Sequence, residues 1–158
     1  MIEKENIELL LKLLKYSHEG RTYYKTFSDN STLKVDLVND EIIYPNDLKV
    51  HDKTTSNFSN PENFVVLECV TRLLSKGYAA KNIELEPKWQ LGRGASGGKA
   101  DILVKDNQGQ EYLIIECKTY GAEYENAWNK TKANGLISLN NNKKKRKKLK
   151  NLNDSNNM

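Results

Sequence analysis

The chain has 158 residues, of which 37% are apolar and 29% charged, enough for one domain with one real core. Its formal charge of +4 misleads, because residues 143–158 carry +6 and leave −2 on residues 1–142. No apolar run approaches the ~18 residues of a transmembrane helix, and Met1-Ile2-Glu3-Lys4-Glu5-Asn6 is too acidic for a signal peptide. A cytoplasmic chain that makes no membrane contact is therefore expected. Cys69 and Cys117 both lie inside apolar runs. They read as reduced core thiols, not as a disulfide framework or a zinc site.

Along the chain, residues 2–16 place Ile2, Ile7, Leu9, Leu10, Leu11, Leu13 and Leu14 among Glu and Lys, the pattern of an amphipathic helix that stops before Gly20. Residues 24–27, 33–37 and 41–44 read as short antiparallel strands, with turns at Asp29-Asn30 and Asn39-Asp40. Residues 51–60 form a polar loop. Asn60-Pro61-Glu62 is a helix start: Asn caps, Pro fits the first turn, and Glu suits the dipole. That helix runs to about Lys76, with Val66, Leu67, Val70, Leu73 and Leu74 as its apolar stripe. Residues 83–91 read as a strand, and 92–98 as a glycine-rich connector. Residues 102–104 and 113–115 read as the strands of a hairpin around the turn 106–110. Residues 123–134 fit a second helix closed by Gly135. Beyond Leu139 the composition is almost entirely Asn, Lys and Ser, and disorder is expected. The chain therefore divides into 1–59, 60–139 and 140–158.

The hairpin carries charge where a buried strand should not. Asp101 opens its first strand, and Glu116 and Lys118 close its second. Buried charges are costly unless paired. Side chains alternate along a strand, so Glu116 and Lys118 share a face and Cys117 points away. If Asp101 pairs opposite Ile114 or Glu116, all three charges lie together; a slip of one residue separates them. Two carboxylates and a lysine at one hairpin end suit a divalent cation and an activated water. The plainer alternative is a solvated strand end. Glu68, at the edge of the helical stripe, likewise has an ion pair with Arg72 at i+4 as its plain reading. Residues 92–98 read first as a mobile connector, with Arg93 and Lys99 as candidates for contact with DNA phosphates. Residues 92–98 lack the Gly-Lys-Ser/Thr ending of a P-loop and lead into a strand. His18 and His51 read as surface residues, and Trp89 and Trp128 as packing aromatics.

Glu68, Gly98-Lys99-Ala100-Asp101-Ile102-Leu103-Val104 and Ile114-Ile115-Glu116-Cys117-Lys118-Thr119 together resemble the PD-(D/E)xK nuclease superfamily. More narrowly, they are similar to the nuclease domain at the N-terminus of type I restriction enzyme R subunits and of related restriction-modification proteins. The resemblance spans residues 61–135, although Ala100 stands where the motif's name has Pro. It implies an α/β, restriction-endonuclease-like three-layer fold with a mixed central sheet flanked by helices. It also implies Mg²⁺-dependent hydrolysis of double-stranded DNA, with Mn²⁺ able to substitute. Carried over by position, Asp101, Glu116 and Glu68 would serve the metal, with Glu62 as the rival to Glu68 and the Cys117 carbonyl beside them. Lys118 would orient the attacking water and offset developing charge. After Gly135, Leu136-Ile137-Ser138-Leu139 leads into the basic tail in place of the family's Gln and Tyr pattern and further strand. Either a domain truncated after its second core helix or a chain that leaves the ancestral reading frame near Gly135 is thus expected. No ATPase or methyltransferase motif occurs, so methyltransferase, specificity and motor functions would fall to partner subunits. The alternative of another class is a non-catalytic DNA-binding or assembly module, a remnant of a larger restriction enzyme.

Overall fold

Three residues in the left-handed region shape the N-terminal sheet: Gly20 at φ 56°, Asn30 at 64° and Asp40 at 55°. Glycine, Asn and Asp tolerate that region best, which is why the chain reverses there. The strands between them, β1 (Ser17–Glu19), β2 (Thr22–Thr26), β3 (Thr32–Asp36) and β4 (Glu41–Ile43), form an antiparallel meander in sequence order. Tyr23, Leu33, Val35 and Ile42 point inward, while alternate residues face out. The computed structural model describes residues 4–89, 98–119, 121–122, 124–126, 128–130 and 132. They fall into two units, Met1–Thr119 and Tyr120–Met158.

Helix α1 (Ile7–Leu13) precedes the meander and buries Ile7, Leu10 and Leu11, with Leu9 and Leu13 left exposed. It is shorter than the expected helix over 2–16, because a 3-10 turn occupies Lys4–Asn6. A second four-stranded sheet has the order β10-β9-β6-β5, from β5 (Lys49–Val50), β6 (Ile83–Leu85), β9 (Ile102–Lys105) and β10 (Glu111–Ile115). It is mixed: β5 runs parallel to β6, and β6 and β10 are antiparallel to β9. A two-stranded ribbon joins β7 (Lys88–Trp89) to β8 (Gly98–Lys99). The expected continuous strand over 83–91 breaks at Glu86, whose φ is 54°, followed by Pro87, which has no N–H for a ladder.

Helix α2 (Glu62–Ser75) begins as its sequence dictates, with Asn60 Oδ1 accepting a hydrogen bond from the Glu62 N–H at 3.0 Å. Phe64, Leu67, Val70 and Leu74 on α2 share one core with Ile83, Leu85, Ile102 and Val104 of the mixed sheet and with Leu33, Val35 and Ile42 of the meander. Tyr16 and Thr71 join hydroxyls across that core at 2.7 Å. The architecture is thus mixed α and β, with few helices. In the second unit, residues 122, 124–126, 128–130 and 132 are helical, and Lys132 Nζ lies 5.3 Å from the Trp128 ring centroid. Residues 90–97 with Arg93, the Trp89 side chain and residues 133–158 with the basic run lie outside the described residues. No helix among the described residues is long and apolar enough to cross a membrane.

Candidate active site

The β9–β10 hairpin is closed by its own turn chemistry. Asp106 Oδ1 accepts from the Gln108 and Gln110 N–H groups, each at 2.9 Å, and Gly109 takes φ 79°. The ladder then pairs Ile114 with Leu103 and Ile115 with Ile102. The ladder ends there; one further step of the same register would set Glu116 opposite Asp101. Cys117 falls on the other face and is buried.

Past Ile115 the chain leaves the ladder and folds around Asp101. The Cys117 N–H donates to Asp101 Oδ2 at 2.5 Å. Lys118 Nζ donates to the Cys117 carbonyl at 2.9 Å and lies 2.8 Å from Glu116 Oε1 and 3.1 Å from Glu62 Oε1. The hairpin end and the first residue of α2 therefore meet at Lys118, which contacts Glu116 and Glu62, while Asp101 is held one residue away by the Cys117 N–H; the four groups sum formally to −2. Both expected carboxylates and the expected lysine are among them. Glu68 is bound elsewhere: its Oε1 accepts from Arg72 Nε at 2.9 Å and Nη2 at 2.7 Å, the i+4 pair. Glu62, the rival, is the α2 acid that reaches Lys118. Its signal was the helix start itself, since the first turn of α2 abuts the strand end that carries the charges.

Electrostatics reflect this crowding. Burial pushes the Asp101 carboxyl above its usual value, and the charges of Glu116 and Glu62 push the same way, against the Cys117 N–H and Lys118. Burial alone would lower the Lys118 ammonium, but hydrogen bonds to Glu116 and Glu62 outweigh it and raise the group well above the ordinary lysine value. Lys118 is accordingly a fixed cation at neutral pH.

The sign of the Asp101 shift makes a prediction. A carboxyl whose folded value is raised costs stability when ionised, and that cost fades as pH falls through the folded value. Asp101→Asn keeps an oxygen acceptor for the Cys117 N–H and removes the charge. Its melting temperature should exceed that of the wild type at pH 7, and the gap should close on acidification. A variant that melts lower at pH 7 would show that the charge serves the fold.

The donor set consists of carboxylate and carbonyl oxygens, hard ligands that suit Mg²⁺ or Mn²⁺. An excess of two negative charges fits a divalent ion as well. Among the described residues, no three His, Cys, Asp or Glu side chains are gathered as a ready ligand cage. The reason is visible in the contacts: Lys118 stands between Glu62 and Glu116, and the Cys117 N–H takes up Asp101. Lys99, half exposed, is ion-paired with the buried carboxylate of Glu86, and that hydrogen bond is the main cause of its raised value.

Sequence reasoning missed a second ionic cluster. Glu84, on β6, is buried, and its carboxylate lies 2.5 Å from Lys105 Nζ, 2.6 Å from His51 Nε2 and 3.4 Å from Lys49 Nζ. His51 is a surface residue, as expected, but its ring is paired with this acid. Burial would raise the Glu84 carboxyl, but Lys105, His51 and Lys49 hold it down at about 2. In comparisons with known proteins, the chain matches no family model, no curated protein and no solved structure.

Proposed function

We propose that this chain is a Mg²⁺-dependent DNA endonuclease domain of the PD-(D/E)xK type, with a restriction-endonuclease-like fold, serving a bacterial restriction-modification system. The observation that carries the reading is the convergence of Asp101, Glu116, Lys118 and Glu62 at one hairpin end. Residues distant in sequence meet there with the charges that phosphodiester hydrolysis needs.

Asp101 and Glu116 would hold the ion, with the Cys117 carbonyl and Glu62 beside them. When bound, Mg²⁺ supplies Lewis-acid charge and lowers the pKa of a coordinated water. The protein's own groups do the rest. The Cys117 N–H fixes the orientation of Asp101. Lys118, kept protonated by its two acids, would donate a hydrogen bond to the attacking water and offset negative charge growing on the phosphate oxygens. Glu116 is exposed to solvent, and Asp101 and Lys118 are partly so.

The test is conversion of supercoiled plasmid to nicked or linear DNA by purified wild-type chain. Products in Mg²⁺ or Mn²⁺ and none in EDTA are expected. No products with either ion at several millimolar would overturn the reading.

A further inference from the structure

The Glu84 cluster holds more cations than its acid needs. A single lysine neutralises one buried carboxylate, and Lys105 at 2.5 Å does so. Lys49 adds a second positive charge at the same carboxylate, and the His51 ring hydrogen-bonds to it. Gathering like charges costs repulsion unless a further anion answers it. Lys49 keeps 60% of its side chain in solvent, while Glu84 keeps only 10%. The acid is thus an internal anchor, and the cations are the surface it presents, with an excess charge of +1 before His51 is counted.

Register places this surface relative to the candidate active site. Lys49 pairs with Glu84 across β5–β6, and Glu84 pairs with Leu103 across β6–β9. Residues two apart on a strand share a face, so buried Leu103 and half-buried Lys105 lie in one row on β9, and Asp101 immediately precedes the strand. Lys105 is four residues from Asp101, about 13 Å along the strand.

We propose that Lys49, His51 and Lys105, gathered on buried Glu84, are a phosphate-backbone contact for duplex DNA at the rim of the mixed sheet. The inference rests on the nuclease reading for the identity of its polyanion. The contact is made to phosphates and not to bases, so it contributes affinity and register without sequence choice. The glutamate fixes the amine positions in advance, which reduces the ordering cost of the contact.

The experiment measures binding of the full chain to a fluorescent duplex in EDTA by anisotropy, across a range of salt concentrations. The basic run at residues 143–150 is common to every variant and cancels in the comparison. Lys49→Gln should weaken binding at low salt and flatten the slope of log K against log salt by about one. Lys105→Gln should do the same, and Lys49→Arg should restore the wild-type slope. Lys49 is exposed, so its variants should melt as the wild type does. Wild-type affinity and slope in Lys49→Gln and Lys105→Gln would overturn the inference. Plasmid cleavage by the wild type alongside unchanged slopes removes this contact and leaves the nuclease reading standing. Flattened slopes without cleavage by the wild type remove the nuclease reading and support the contact.

Discussion

Lys118→Ala is expected to lower Mg²⁺-dependent DNA cleavage by about 10²- to 10³-fold, the usual loss when one aimed electrostatic donor is removed. Lys118 is the only side chain that touches both Glu116 and Glu62 in the described contacts, and it also donates to the Cys117 carbonyl. Its removal leaves three acids without their common counter-charge. Substrate binding should change far less than turnover, because one ammonium is a small part of a duplex footprint. Lys118→Arg should rescue poorly, since a planar fork cannot reproduce three convergent contacts made by a compact ammonium. Stability should fall only slightly, as Glu116 is exposed and Glu62 partly so. Single-turnover rates on plasmid, measured beside thermal melts, check both statements. A variant as active as the wild type would remove Lys118 from the chemistry.

Phe64→Ala should have the opposite profile, with a large loss of stability. Phe64 is 1% exposed and packs edge-on against Phe58 with ring centroids 5.2 Å apart. Truncating a buried Phe costs about 3–5 kcal/mol, from lost transfer energy plus the cavity left behind. For a unit of this size the melting temperature should fall on the order of 15 °C. Phe64 lies two residues beyond Glu62, so the loss also loosens the helix start that brings Glu62 to Lys118. Cleavage should then fail on warming well before the wild type does. Together the two variants separate chemistry from folding: Lys118→Ala stays folded without activity, and Phe64→Ala loses activity with its fold.

The hairpin and its charges were legible because they are local. Two β-branched runs around Asp106 and Gly109 specify a register within some fifteen residues, and that register decides which face Asp101 and Glu116 share. The start of α2 was legible for the same reason, in Asn60-Pro61-Glu62. What escaped were features set by distant partners. Strand β5 has two residues and becomes a strand only by parallel pairing with β6, whose partner residues lie 35 positions on, Lys49 with Glu84. His51 therefore read as a loop histidine, and Glu84 as an ordinary strand residue. The choice between Glu62 and Glu68 turned on tertiary placement, although Arg72 at i+4 already marked Glu68 as engaged. The break at Glu86 left no mark beyond Pro87, because a left-handed Glu has no sequence signature.

Calorimetric titration of Mn²⁺ into the wild-type chain and into Asp101→Asn, without DNA, tests the site at its root. One ion per wild-type chain is expected, with affinity weakened at least tenfold in Asp101→Asn, whose fold is intact by thermal melting. Lys118→Ala should still bind the ion, and more tightly, because the competing ammonium is gone. Equal Mn²⁺ binding by the wild type and Asp101→Asn, or none by either, would contradict a metal site built on Asp101 and Glu116.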